Sequence, residues 1–181
     1  QDHAAQLALK NNPKERAENI MIVDLMRNDL SKICRPDSVD VPHLCAAHPF
    51  YDVHHLISTV TGKKQDHVGM DALLQATLAA GSITGAPKKR AMEIIDTLEP
   101  HQRGPYCGHL CWFDGHGQCD SSILIRSLMV RPHEVTFYAG GAVTLDSDPA
   151  EEYYETLIKA KSIMASLIED PTSLQAWLQR H

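Results

Sequence analysis

Residues 81–95, GSITGAPKKRAMEII, place a glycine-spaced loop directly before a stretch with the apolar spacing of a helix. Free backbone N–H groups and the helix dipole at such a helix start favour a negatively charged group. The stretch is not a P-loop, because Ala-Pro-Lys follows the second glycine where that motif has Lys and then Ser or Thr. The loop therefore indicates a phosphate site, a site for another anion, or a helix cap without a ligand, which is the commonest role of such loops.

The composition narrows the class of protein. The chain has 181 residues, enough for one domain with a sizeable core, and a formal net charge of −6. The negative charge argues against nucleic-acid binding, which usually relies on a basic surface. No apolar run has the length of a membrane span, and no secretory signal is found. The five cysteines, an odd number without a pairing pattern, are typical of a reducing compartment, so we expect a cytoplasmic protein whose cysteines fill apolar spaces.

The first long helix is predicted from its start signal, Asn12-Pro13-Lys14-Glu15, in which Asn12 caps the helix and Pro13 takes its first position. The helix is expected to run to about Cys34, since Pro36 blocks its continuation. Apolar residues at helical spacing predict its core-facing stripe, namely Ala17, Ile20, Met21, Leu25 and Met26.

The remaining pattern predicts an α+β fold with antiparallel sheets and packed helices. Strands are expected within residues 38–62 and 107–145, with residues 121–130 and 134–138 forming a hairpin. Helices are expected over residues 70–80, 87–98 and 148–168, and a short amphipathic helix in the tail. The glycine pair in residues 139–142 predicts a bend where another group approaches the backbone closely.

Two pairs of carboxylates stand at a spacing of three, Glu15 with Glu18 and Glu152 with Glu155. This spacing places both members of a pair on one face of a helix. Two such pairs brought together would form the all-oxygen ligand set that Mg²⁺ prefers. The more common alternative is a solvated helix surface, because glutamate is mostly an exposed residue.

Three further residues have both a structural and a functional interpretation. His55 lies beside His54 in an apolar strand, so alternation turns one of the two inward, as a core histidine or a site residue. Arg126 interrupts an apolar strand and either faces solvent or needs a buried carboxylate partner. Lys159 lies one helical turn after Glu155 and either pairs with it or faces a ligand. Together with the loop and the carboxylate pairs, these residues indicate a site for a small polyanion, a carboxylate rather than a nucleotide.

Six blocks of the sequence resemble the chorismate-utilising enzymes. They are Glu15-x-x-Glu18 with the following MIVDLMRNDL, HLIST at 55–59, GSITGAPKKRAMEIIDTLEP, ILIRS, AGGAV and DSDPAEEYYET. The likeness covers residues 8–168, and the MIVDLMRND and GSITGAPKKRAMEIID blocks are highly specific. Within the family the closest resemblance is to aminodeoxychorismate synthase component I. Anthranilate synthase component I is next, and it more often has Gly-Thr-Leu-Ser-Gly in place of residues 81–85.

The resemblance implies a site for chorismate and Mg²⁺. The metal ligands that it implies are Glu15, Glu18, Glu152 and Glu155. The groups that it implies for holding substrate are Ser82, Tyr106, Arg126, Lys159 and the backbone of Gly140 and Gly141. It implies catalytic roles for His55 and Glu18, although a metal-bound carboxylate is a poor proton donor, so one role of Glu18 must dominate. On this interpretation the loop of residues 81–87 belongs to a carboxylate pocket.

The implied activity is the Mg-dependent amination of chorismate to 4-amino-4-deoxychorismate in para-aminobenzoate and folate synthesis, with ammonia from a glutamine amidotransferase partner. Family members are longer, and their N-terminal part carries a Pro-Ile-x-Gly-Thr block with a lysine nucleophile that this sequence lacks. We therefore expect residues 1–168 to be the C-terminal part of the catalytic domain and residues 169–181 a tail. The alternatives are an anthranilate synthase component I and a non-catalytic binding fragment. Ala142 in place of glycine, and Cys111-Trp112 in place of Gly-Tyr, depart from the family pattern.

Overall fold

The computed structural model describes residues 2–50, 53–145, 147–165 and 167–168. The chain forms two compact units, Gln1–Glu99 and Pro100–His181, which we call the N-terminal unit and the C-terminal unit. Within the described ranges, no helix combines the length and the apolar character that crossing a membrane requires. The predicted tail helix lies outside the described residues, and the extent of the catalytic domain stays a prediction.

The N-terminal unit consists of helices around one long hairpin. In chain order its elements are α1 (Asp2–Asn11), α2 (Pro13–Ser31), β1 (Asp40–Phe50), β2 (Val53–Thr61), α3 (Met70–Thr77), a 3₁₀ turn (Gly81–Ile83) and α4 (Lys88–Leu98). The predicted helices after the hairpin are both present. The helix α1 was not predicted from the sequence.

The helix α2 begins as predicted and ends early. The side-chain oxygen of Asn12 accepts hydrogen bonds from two backbone N–H groups of the first turn, at 3.0 and 3.3 Å. The helix ends at Ser31 rather than near Cys34. Cys34 instead pairs with Lys64 in an isolated β-bridge, which requires extended backbone where the prediction had helix.

The predicted core-facing stripe of α2 is only partly right. Leu25 and Met26 are half-buried, but Ala17, Ile20 and Met21 are exposed. Apolar residues lie on more than one side of α2, so their spacing does not decide which side faces the rest of the unit. The buried residues of the helix are Val23 and Asp29.

The antiparallel hairpin of β1 and β2 contains a bulge. At residues 44 and 45, β1 holds two residues opposite the single Ser58 of β2. Cys45, at the bulge, has a left-handed φ of 51°, and its backbone N–H donates to the Ser58 hydroxyl at 2.8 Å. The side chain of Ser58 thus satisfies a donor that the bulge removes from the ladder.

The C-terminal unit contains two short hairpins followed by a helix. Its elements are β3 (His109–Phe113), β4 (Cys119–Ile123), β5 (Leu128–Arg131), β6 (Glu134–Phe137) and α5 (Pro149–Ala165). The strands pair β3 with β4 and β5 with β6, both antiparallel. The predicted α+β class with antiparallel sheets is therefore confirmed.

The prediction that residues 121–130 form one strand is wrong. β4 ends at Ile123, β5 begins at Leu128, and Arg126 lies between them with a φ of 53°. A left-handed residue turns the chain, so the strand cannot continue through it. The predicted hairpin survives in shortened form, because β5 pairs with β6.

An ion pair fastens α2 to α4. Asp29 is buried, with 3% of its surface exposed. One of its carboxylate oxygens binds the Lys32 ammonium at 3.0 Å, and the other binds Lys88, the first residue of α4. The side chains of Lys88 and Asp29 are only 17% and 5% exposed. Because both side chains are largely shielded from water, removal of either charge would leave the other buried without a partner.

We expect Lys88→Met to lower the free energy of unfolding by roughly 2–4 kcal/mol, because it takes away one of the two cations that hold the buried Asp29 carboxylate. Denaturant titration of the chain measures this. The matched control is Arg35→Met, which breaks an ion pair with Asp66 whose side chains are 54% and 89% exposed. The control should lose less than about 1 kcal/mol. Equal losses in the two variants would contradict the importance of the buried pair.

Candidate functional site

Four of the predicted site residues lie in the N-terminal unit. Glu15 and Glu18 lie one turn apart near the start of α2, where Glu15 is exposed and Glu18 is half-buried. His55 on β2 is exposed and the adjacent His54 is half-buried, so alternation turns His54 inward and leaves His55 accessible. Ser82 is exposed in the 3₁₀ turn.

The loop before α4 is fastened to α2 on both sides of Ser82. At Gly81 the backbone lies so close to Leu25 that an added Cβ would stand 2.6 Å from Leu25 Cδ1. Glycine at this position therefore permits a contact that any side chain would obstruct. On the other side of Ser82, Lys88 binds Asp29. The Lys88 ammonium is therefore bound within the protein, and Ser82 lies exposed between the Gly81 contact and the Lys88 ion pair.

A polar network that the sequence did not predict joins α2 to the bulged hairpin. Asn19, next to Glu18, donates from Nδ2 to the carbonyl of Leu56 at 3.0 Å. Its Oδ1 accepts from the Ser58 hydroxyl at 2.5 Å and from the Cys45 thiol at 3.4 Å. The one signal in the sequence is an asparagine inside a helix, a residue type that usually prefers caps and turns.

The C-terminal unit brings several of the predicted site residues together. An added Cβ would stand 3.1 Å from Tyr106 Oη at Gly140, and 3.2 Å from Glu152 Oε2 at Gly141. A Cβ at either position would be tightly packed against these oxygens, so the predicted close approach to the backbone is present. The φ of Ala142 is not positive, so alanine fits there without backbone strain.

One carboxylate of this cluster is incompletely satisfied. Ser147 Oγ donates to Glu152 Oε1 at 2.7 Å. The other oxygen, Glu152 Oε2, is buried and has no hydrogen-bond partner. A buried carboxylate oxygen without a donor is unfavourable by itself, whereas a bound hard cation would complete it. Glu152 therefore has the character expected of a metal ligand.

The ammonium group of Lys159 lies between a glutamate and the glycine backbone. Its Nζ is 2.5 Å from Glu155 Oε1 and 3.4 Å from the carbonyl oxygen of Gly140. The predicted pairing with Glu155 is therefore present. The same geometry brings a cation to the glycine segment, so the pairing and a ligand-facing position are not exclusive.

Tyr106 borders a cavity of about 230 Å³ within the C-terminal unit. The ring of Tyr106 stacks on Tyr138 with the centroids 5.4 Å apart, and the Arg103 guanidinium lies 5.9 Å from the Tyr106 centroid. These contacts fix the ring while its hydroxyl lies near Gly140. The lining is mostly apolar, consisting of Pro105, Tyr106, Leu124, Ser127, Leu128, Met129, Thr136, Phe137 and Tyr138.

The placement of Arg126 differs from the prediction. Arg126 does not lie inside a strand, and its side chain is exposed in the loop between β4 and β5. The strand alternation used to consider an inward arginine therefore does not apply. An accessible guanidinium remains suited to binding a carboxylate.

The four predicted magnesium ligands are divided between the units, with Glu15 and Glu18 in one and Glu152 and Glu155 in the other. Among the described residues, no group of three or more His, Cys, Asp or Glu side chains has the arrangement of a metal site. A site with all four carboxylates requires both units. The four-ligand assignment therefore stays a prediction.

The cysteines in the described part of the chain are free thiols. The pKa of the Cys119 thiol lies above its ordinary value, first because of burial and then because of the nearby Cys111 and Asp120. A raised pKa lowers the fraction of reactive thiolate. This favours a packing role for Cys119 over a nucleophilic one.

Comparison with known proteins gives a consistent result. The family model for chorismate binding enzymes matches residues 1–165. The chain is 49% identical over 167 residues to aminodeoxychorismate synthase component 1 of Klebsiella aerogenes, covering 92% of this chain and 37% of that protein. It is 43% identical to anthranilate synthase component 1 of a Synechocystis strain, covering 88% of this chain and 32% of that protein.

A solved structure agrees with these sequence relatives. Anthranilate synthase component I from Streptococcus pneumoniae superposes with a TM-score of 0.80 at 37% identity, covering 90% of this chain and 37% of that one. The chain therefore spans about a third of the length of these relatives.

Glu152→Gln should raise the free energy of unfolding in EDTA by about 1 kcal/mol, because it removes a buried anionic oxygen that lacks a donor. We also expect Mg²⁺ to stabilise the unsubstituted chain, and the substitution to reduce that stabilisation. Denaturant titrations with EDTA and with Mg²⁺ measure both effects. The control is Glu151→Gln on the adjacent, exposed residue of α5, which should change neither. If Mg²⁺ stabilises both variants and the unsubstituted chain equally, Glu152 does not bind the metal.

Proposed function

Because the chain belongs to the family of chorismate binding enzymes, we propose that it forms part of an enzyme that aminates chorismate to 4-amino-4-deoxychorismate. The observation that carries the proposal is the cluster around Gly140 and Gly141. The Tyr106 hydroxyl, the Lys159 ammonium and the incompletely satisfied Glu152 carboxylate lie close to the backbone of these glycines. The relatives named aminodeoxychorismate synthase component 1 favour this reaction within the family.

The cluster suits the two carboxylates of chorismate. Lys159 supplies positive charge, and the Tyr106 hydroxyl supplies a donor held in place by the ring stack. Arg126, exposed in the loop between β4 and β5, is a further proposed carboxylate-binding group of this unit. The backbone of Gly140 and Gly141 can approach a ligand closely because neither carries a side chain. Charge-assisted hydrogen bonds of this kind are the strong ones for carboxylate binding.

Lys159 can change partners as the site fills. Its ammonium is 2.5 Å from Glu155 Oε1, which neutralises both groups when no ligand is bound. A cation bound at Glu155 would compete for that carboxylate. Lys159, 30% exposed, would then be released toward a substrate carboxylate next to Gly140.

The proposed metal ligands are Glu15, Glu18, Glu152 and Glu155. When bound, Mg²⁺ would supply positive charge that stabilises the negative charge developing as the C4 hydroxyl departs. Glu152 fits this role through its unpartnered buried oxygen. In each pair one glutamate is half-buried and the other is exposed.

The reaction replaces the C4 hydroxyl of chorismate with the amino group of ammonia and releases water, so the departing oxygen needs a proton. A carboxylate engaged by a cation is a poor proton donor, which assigns Glu18 mainly to metal binding. His55 is accessible on β2 and carries an imidazole, whose two ring nitrogens can donate and accept protons. We therefore assign proton transfer to His55, and the Ser82 hydroxyl to substrate contact.

The amination needs a source of nitrogen. Relatives are named component 1, which implies a second component, and we propose a glutamine amidotransferase that supplies ammonia. Free cysteines in the described chain suit a reducing compartment, and we place the enzyme in the cytoplasm.

Anthranilate synthesis is the second candidate, because an anthranilate synthase component 1 matches at 43% identity. The two products are chemically distinct. Aminodeoxychorismate keeps the enolpyruvyl group of chorismate, whereas anthranilate is an aromatic aminobenzoate without it, so that its formation must release pyruvate.

The test is to incubate the full-length natural protein with chorismate, Mg²⁺ and an ammonium salt, and to identify the products by mass spectrometry together with a pyruvate assay. We expect 4-amino-4-deoxychorismate without stoichiometric pyruvate. Anthranilate and pyruvate in equal amounts would favour the second candidate. Chorismate left unchanged, by a folded protein supplied with ammonia, would contradict both.

In the same protein, Glu155→Gln should lower turnover by about 100-fold or more, because it takes one charge from the metal-binding set. The fold should persist, with a change in the free energy of unfolding within about 0.5 kcal/mol, since Glu155 is exposed. Turnover measured against Mg²⁺ concentration is the readout, with Glu151→Gln as the control. If Glu155→Gln reaches the unsubstituted rate at the same Mg²⁺ concentration, Glu155 is not a ligand.

A further inference from the structure

The network around Asn19 connects the two residues to which the proposed function assigns proton and metal chemistry in the N-terminal unit. Asn19 follows Glu18 directly on α2, and its Nδ2 donates to the carbonyl of Leu56, the residue directly after His55 on β2. The chain between Glu18 and His55 runs through the rest of α2, the loop and β1. The hydrogen bond from Asn19 to Leu56, 3.0 Å long, links the neighbours of Glu18 and His55 directly.

The second half of the network fixes the strand that receives this bond. Ser58 Oγ donates to Asn19 Oδ1 at 2.5 Å and accepts from the backbone N–H of Cys45 at 2.8 Å. Cys45 is 1% exposed and lies in the bulge with a positive φ. The bulge, the strand β2 and the helix α2 therefore meet at one amide group, and none of them can shift without breaking a partly buried hydrogen bond.

We propose that Asn19 is a positioning residue of the active site, which sets the distance between the helix turn of Glu18 and the strand of His55. The inference rests on the proposed function for the roles of these two residues. The Asn19 side chain itself is committed to Leu56, Ser58 and Cys45, so it acts through the backbone and does not touch substrate.

A purely structural role would make Asn19 equivalent to other amide contacts of the same unit. Gln65 provides the comparison, because its Nε2 donates to the carbonyl of Cys34 at 2.8 Å across a similar sequence separation and at similar burial. This contact lies beyond the other end of α2, away from Glu18 and His55 in the sequence. Asn19→Leu removes three side-chain hydrogen bonds and Gln65→Leu removes one, and each substitution replaces an amide with an apolar side chain of similar size.

The experiment compares kcat and KM of the full-length natural protein carrying either substitution, together with the stability of each variant. We expect the larger loss of stability in Asn19→Leu, because it breaks three partly buried hydrogen bonds and Gln65→Leu breaks one. Asn19→Leu should lower kcat by roughly 100-fold, because a shift of about 1 Å between reacting groups has effects of that order. KM should stay within about threefold, since the proposed carboxylate-holding cluster lies in the C-terminal unit, and Gln65→Leu should keep kcat within about twofold.

A readout independent of turnover accompanies the kinetics. The imidazole resonances of His55 in NMR spectra should shift in the Asn19→Leu variant and stay in place in the Gln65→Leu variant. Ser58→Ala, which leaves the bond from Asn19 to Leu56, should give a smaller shift. If Asn19→Leu does not fold, Asn19→Asp serves, because it keeps the acceptor for Ser58 and removes the donor to Leu56.

Two outcomes overturn the inference. One is a loss of kcat that is equal in the Asn19 and Gln65 variants, or absent in both. The other is a His55 spectrum that does not respond to substitution of Asn19. If the unsubstituted protein does not aminate chorismate, the proposed function fails, and the His55 spectra alone then decide whether Asn19 positions the strand.

Discussion

The positions of the site residues in the N-terminal unit depend on two polar side chains of α2 that must find partners away from bulk water. Asn19 finds them in β2 and the bulge, and Asp29 finds them in Lys32 and Lys88. A buried polar group without its partner costs more than the bond contributes, so any sliding of α2 is opposed at both points. Apolar contacts are non-directional, so they would restrict the position of α2 along its axis less than these hydrogen bonds and ion pairs do. Glu18 and Ser82 are positioned because they adjoin these contacts.

The C-terminal unit shows the opposite arrangement, a polar group that the fold leaves incomplete. Ser147 satisfies one oxygen of Glu152, while the other is buried without a donor beside Gly141. Folding alone gains nothing from such an atom, and an alanine or leucine there would avoid the cost. The arrangement is favourable only when a ligand with positive charge completes it. The contrast with Asp29, whose two oxygens both have cations, separates a residue that serves the fold from one suited to binding.

The sequence predicted local features well, because their signals are local. The cap at Asn12, the antiparallel pairing of β5 with β6 and the close approach at Gly141 follow from residue types at fixed spacing. Arg126 was misplaced because a run of apolar residues hides a single left-handed turn. The Asn19 network was missed because its partners lie far along the chain, and the bulge that aligns Ser58 with them leaves no residue pattern. The proposed roles of Glu15, Glu18, Glu152 and Glu155 came from family resemblance, because spacing alone indicates only that each pair shares a helix face.

The two Glu-x-x-Glu pairs have identical spacing but different local environments. Glu152 is held by Ser147 and Glu155 by Lys159, whereas Glu15 is exposed at the capped start of α2, where the helix dipole favours a negative charge. A solvated helix surface would need no such fixed partners, and its glutamates would be interchangeable with their neighbours. Partners that neutralise one oxygen and leave another available restrict where a cation can bind. The spacing of three thus determines only that two carboxylates share a helix face, and the contacts with Ser147 and Lys159 determine which oxygens of Glu152 and Glu155 are available to a ligand.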